Sequence, residues 1–83
     1  MKSLYQMLLA VGYPESQMDH HESDLYIYQT PLTNSVIDQW CEVNGYRREA
    51  FVSQFRDQIT GRMMYDILFA YDPWWEKIDN SSR

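Results

Sequence analysis

From Arg47 to Tyr71 the chain alternates with a period of two residues, and no other feature restricts its fold as tightly. Phe51, Ser53 and Phe55 alternate with Val52 and Gln54. Met63, Tyr65, Ile67, Phe69 and Tyr71 then alternate with Met64, Asp66, Leu68 and Ala70. Side chains of an extended strand point to opposite faces in turn, so the pattern predicts two strands joined near Ile59-Thr60-Gly61. A third aromatic and β-branched run, Asp24 to Thr30, places Leu25 and Ile27 on one face, Tyr26 and Tyr28 on the other, and stops at Pro31.

Two helical stripes accompany these strands. Leu4, Met7, Leu8 and Val11 recur at helical spacing, which predicts a helix over residues 3–11 with Gly12 as its left-handed cap. Tyr13-Pro14-Glu15 ends it, and the polar stretch through Ser23 reads as a loop with one helical turn. Thr33 is the expected cap of the second helix, with Leu32 and Ile37 as a hydrophobic staple. Val36, Ile37, Trp40 and Cys41 form its buried stripe and Gly45 its end. Asp72-Pro73 predicts a short C-terminal helical turn through Trp74, Trp75 and Glu76.

The order α-β-α-β-β is that of a small α+β domain: a three-stranded, mainly antiparallel sheet with two helices on one face. If strand one lies beside strand three, the uncovered face takes the surplus aromatic residues. With 83 residues, the chain has room for one domain, drawn over residues 1–79 with 80–83 as a solvated tail. A multi-domain enzyme is excluded. The single cysteine, Cys41, excludes an intramolecular disulfide and a multi-thiolate zinc site and fits a reducing, cytoplasmic setting. The N-terminal stretch lacks a signal-peptide pattern, and the longest apolar run, Ile67 to Tyr71, is far short of a membrane span.

Charge separates along the chain. The formal net charge is −5. Up to Gly45, Lys2 stands against Glu15, Asp19, Glu22, Asp24, Asp38 and Glu42, whereas Arg47, Arg48, Arg56 and Arg62 outnumber Glu49 and Asp57 in the hairpin. Such a division is either an ordinary solvated surface or a field that steers an acidic half toward a basic partner.

Few groupings carry chemistry. Asp19-His20-His21-Glu22-Ser23-Asp24 offers imidazole and carboxylate ligands, but an extended segment turns His20 and His21 to opposite sides and no further histidine exists to complete a metal site. A solvated loop is the leading reading there, with a metal site or a pH-sensitive contact as the others. Cys41 belongs to an apolar stripe and reads as a small core hydrophobe rather than a nucleophile. Asp66 stands among Met64, Leu68 and Ala70 and asks for a partner, either solvent or an arginine across the strand pair. Gly45-Tyr46-Arg47-Arg48 lacks the glycines of a phosphate loop. The strand aromatics are read first as packing, then as a protein-contact face, then as base-stacking platforms. Trp74 and Trp75 are candidates to close the core or anchor a partner.

Together these features predict a non-enzymatic protein, without cofactor, that inhibits or modulates a protein partner by covering its basic surface. In the most concrete form Glu15, Asp19, Glu22, Asp24, Asp38 and Glu42 take the place of phosphates in a nucleic-acid-binding groove, with Trp74 and Trp75 as further contacts. The very small, acidic, aromatic-rich character is similar to that of phage and mobile-element accessory proteins that act by binding, anti-defence inhibitors among them. The alternative is a nucleic-acid-binding module using Arg47, Arg48, Arg56 and Arg62 beside the strand aromatics; the third is a metal-dependent site at His20 and His21. A homo-oligomer is compatible with exposed sheet edges.

Overall fold

Ser3 starts the first helix because two of its groups are used at once: its hydroxyl accepts from the Gln6 N–H and its own N–H donates to the Gln6 side chain. That helix, α1 (Leu4–Ala10), belongs to a computed structural model that describes residues 3–71. Gly12 takes φ +87° just beyond it, as its place after Val11 predicts. A single 3-10 turn at Glu15–Gln17 leads to β1 (Asp19–His21) and β2 (Asp24–Tyr28). Then follow α2 (Pro31–Asn44), the one-turn helix α3 (Arg48–Phe51), β3 (Val52–Arg56) and β4 (Met63–Ile67).

The class is α+β, with an antiparallel sheet in the order β1-β2-β4-β3. The strand order, which the sequence left open, sets the first predicted strand beside the last: Leu25 faces Ile67 and Ile27 faces Tyr65 across β2 and β4. The sheet has four strands rather than three. β1 lies in the segment read as a loop, because its three exposed residues carry no periodic signal. It pairs with β2 through a tight turn in which Glu22 takes φ +56°.

Leu25, Ile27, Tyr65 and Ile67 bury one sheet face against Leu4 and Leu8 of α1 and Val36, Ile37, Trp40 and Cys41 of α2. Trp40 packs edge-on to Tyr46 and Phe51 at ring separations of 5.0 and 6.2 Å. The stripe of α2 and its left-handed Gly45 end are as predicted, but the cap stands three residues earlier than expected. Thr30, not Thr33, is the N-cap, with Pro31 at the first helical position and Thr33 completing the reciprocal bonds. Leu32 is consequently exposed and forms no staple with Ile37.

Two strand boundaries also differ. Phe51 ends α3 instead of starting a strand, which brings its ring to 4.5 Å from that of Tyr46. β4 stops at Ile67; Phe69 turns out at φ +58°, and Ala70 becomes fully buried while its backbone carbonyl accepts from the Tyr5 N–H. The strict alternation of Leu68 to Tyr71 is thus coincidental to a turn. The predicted C-terminal helical turn, the tail at 80–83, Trp74 and Trp75 lie outside the described residues. Among those described, no helix is long and apolar enough to cross a membrane.

Candidate functional site

With α1 and α2 on one side, no helix of the described residues covers the other side of the sheet. The pleat sends Tyr26 and Tyr28 of β2, Met64 and Asp66 of β4 and Ser53 and Phe55 of β3 to this face, in the register Tyr26–Asp66–Ser53 and Tyr28–Met64–Phe55. The segment Ser16–Asp19 walls the face at one side, and Asp57 and Ile59 of the β3–β4 turn wall it at the other. Between them lies an open cleft of about 730 Å³. Tyr26 and Phe55 meet edge to face across its floor at 5.5 Å.

The cleft is electronegative. Desolvation pushes the Tyr26 hydroxyl above its ordinary value, and the carboxylates of Asp66, Asp24, Asp19 and Glu22 add to the shift. Strand register sets Asp19 and Asp66 on either side of Tyr26, with Asp24 two residues before it on the same face. Three of these carboxylates, Asp19, Glu22 and Asp24, were expected in a partner-binding set; the β1–β2 hairpin brings them together. Glu15 accepts a hydrogen bond from the Tyr5 hydroxyl at 2.7 Å, while Asp38 and Glu42 lie exposed on α2, on the opposite side of the sheet. The predicted acidic set is thus divided between two faces.

Asp66 is the residue that sequence reasoning placed least well. Of its two expected partners the arginine is not the one it has: the groups across the strands are Tyr26 and Ser53, and the residue is partly exposed, with one carboxylate oxygen, Oδ1, enclosed without a hydrogen bond among the described residues. Burial raises its carboxyl above the ordinary 3.8, and the neighbouring Asp24 acts in the same direction. The signal was present as an acidic residue inside an apolar strand; the diagonal approach of Asp24 was not. By contrast, Asp57 at the cleft wall is satisfied. It accepts from the Ile59 N–H and the Thr60 hydroxyl, bonds that hold its carboxyl below the usual range and organise the turn.

These contacts set an expected outcome. A carboxyl whose pKa is higher in the folded than the unfolded chain holds extra proton in the native state between the two values, so stability falls as pH rises through that interval from 3.8 upward. Asp66→Asn removes the enclosed charge and keeps a donor toward Asp24. It should raise stability at neutral pH by about 1 kcal/mol, the low end for an unpaired buried polar group. In urea titrations the gain should vanish below the ordinary carboxylate value; an equal gain in acid would refute the assignment.

The hairpin arginines are largely occupied within the chain. Arg48 pairs with Asp38, donates to the Asn34 carbonyl oxygen of the side chain at 2.6 Å and to the Tyr65 hydroxyl at 3.2 Å, and lies over the Tyr65 ring. It ties α3, α2 and β4 together. Arg56 donates to the Gly61 carbonyl at 2.7 Å, and the Arg62 guanidinium sits 3.8 Å from the centre of the Tyr28 ring. Arg47 is exposed as the residue preceding α3. Arg47 and Arg48 lie at one end of β3, Arg56 and Arg62 at the other, so they form no single basic groove.

His20 and His21 point to different surroundings. The His20 ring stacks on Tyr71 at 3.9 Å, and His21 is exposed at the end of β1. Among the described residues, no three His, Cys, Asp or Glu side chains are grouped to hold a metal ion. Cys41 is in the core, as its stripe predicts, where burial pushes its thiol up and keeps it protonated. Compared with protein-family models, curated proteins and solved structures, the chain matches none.

Proposed function

We propose that this protein acts by binding, covering a basic surface of a partner protein with the sheet face opposite α1 and α2. The placing of Asp19 and Asp66 on either side of Tyr26, with Asp24 on the same face and a cleft floored by aromatic rings, carries this reading. Carboxylates on a rigid sheet raise encounter rates with a basic partner, while half-buried rings supply contact area at low entropic cost. In its most specific form the covered surface is a nucleic-acid-binding groove, the carboxylates standing where phosphates would lie, and the protein is an inhibitor of the anti-defence kind. The internal engagement of Arg48, Arg56 and Arg62 weighs against direct binding of nucleic acid, which draws its affinity from cations free to meet phosphates.

The test compares the wild type with the double variant Glu22→Lys, Asp24→Lys, both checked for folding by circular dichroism. The wild type should retain a basic, nucleic-acid-binding protein from a nuclease-treated host lysate. With that purified protein, the variant should associate about tenfold more slowly at low salt and with a shallower salt dependence, as steered encounters do. The wild type should leave labelled single-stranded DNA and RNA unshifted in a gel. Equal association rates for the two proteins, or retention that disappears with nuclease, would overturn the reading.

A further inference from the structure

Resting on the reading that the open sheet face meets a basic partner, we propose that its cleft is a receptor for an arginine side chain of that partner, stacked on Tyr26 and paired with Asp66. The charge on this face calls for a cation, and the form of the cleft selects among cations. Asp66 is partly exposed on the floor of the cleft, with Ser53 and Tyr26 directly across from it on the neighbouring strands. A compact metal ion would need several ligands around one point, and no such grouping is present among the described residues. The carboxylates are instead set apart: Asp19 and Asp66 flank Tyr26 on the strands to either side, and Asp24 is diagonal to Asp66.

That layout matches a planar, forked cation. A guanidinium presents donors along two edges and an uncharged-looking face, so it can bridge separated carboxylates while its plane lies on an aromatic ring. The ammonium of lysine is a strongly hydrated point charge and loses more on entering the same cleft. The molecule supplies its own example of the stacking half of this geometry: Arg62 lies over Tyr28, the ring next along the same face, with 3.8 Å between guanidinium carbon and ring centre. At the Tyr26 position the ring and the acidic groups are present, and among the described residues no guanidinium lies over that ring.

The test is a titration of isotopically labelled protein, followed by backbone amide shifts, with two short blocked peptides identical except that one carries arginine where the other carries lysine. The arginine peptide should shift the amides of Tyr26, Ser53, Phe55 and Asp66 and bind about tenfold more tightly than the lysine peptide. Asp66→Asn should abolish that preference, and Tyr26→Leu should lower arginine affinity while leaving the weak lysine binding unchanged. Equal binding of the two peptides would overturn the arginine receptor yet leave a generally basic partner intact. Shifts confined to the α1–α2 side, or none with the arginine peptide, would also overturn it, and the charge-reversal comparison with a whole partner then judges the broader reading separately.

Discussion

Trp40→Ala should bring the protein to the edge of unfolding at 25 °C. Trp40 is fully buried, the largest of the enclosed side chains, and its ring is the one that α2 inserts between the sheet and the Tyr46–Phe51 pair. Truncating a buried tryptophan costs about 3–5 kcal/mol, through lost transfer energy and the cavity left behind. A domain this small has only about 5 kcal/mol or somewhat more to lose. Trp40→Phe is the informative companion. The Trp40 Nε1–H is buried without an acceptor among the described residues, so phenylalanine removes a donor unpaired there as well as part of the ring. Its cost should stay under about 2 kcal/mol. Urea denaturation monitored by circular dichroism distinguishes the two; equal losses would mean that the indole ring's shape, rather than its volume, governs the site.

Thr33→Val should cost about 2 kcal/mol although the two side chains are almost the same size. Thr33 is fully buried, and its hydroxyl accepts from the Thr30 N–H at 2.9 Å while donating to the Tyr28 carbonyl at 2.7 Å. One oxygen thus joins the end of β2 to the start of α2, at the point where the chain passes from sheet to helix layer. Valine preserves packing but leaves the Thr30 donor without this acceptor in a protected place, a penalty of roughly 1–3 kcal/mol. Thr33→Ser keeps the hydroxyl and deletes a methyl group, which costs about 1 kcal/mol. For a domain of this length the valine variant should melt roughly 8–16 °C lower. If serine proves the more damaging of the two, packing rather than the hydroxyl holds this junction.

These two residues also show how unevenly the chain announces itself. Trp40 was legible because the helical stripe of Val36, Ile37, Trp40 and Cys41 is a local pattern, and a helix with one apolar face has to bury it. Thr33 was recognised as a capping residue but assigned the wrong place in the cap. Two threonines three residues apart each satisfy the local chemistry, and Pro31, which fits the first helical position, makes Thr30 the cap. The candidate site divides in the same way. Tyr26 and Tyr28 were placed opposite Leu25 and Ile27 by the two-residue period alone. Asp66 was singled out as an acidic residue in apolar company, yet its neighbours could not be named, because they come from strands far away in the chain.

Local sequence determined what depends on neighbours within a few residues: both long helices, the left-handed turns at Gly12 and Gly45, the inward set of β2 and the aromatic character of its other face. Periodicity and steric limits on φ act over that range and need no tertiary partner. Tertiary structure alone decided that a polar tripeptide, Asp19–His21, becomes an edge strand, that Ala70 rather than Phe69 enters the core, and that Arg48 is spent on Asp38 and Tyr65. It also set Asp19 and Asp66 on either side of Tyr26. Electrostatic energy depends on distance through space, and a folded sheet sets residues forty positions apart side by side, so the sign and site of this field could be completed only by the fold.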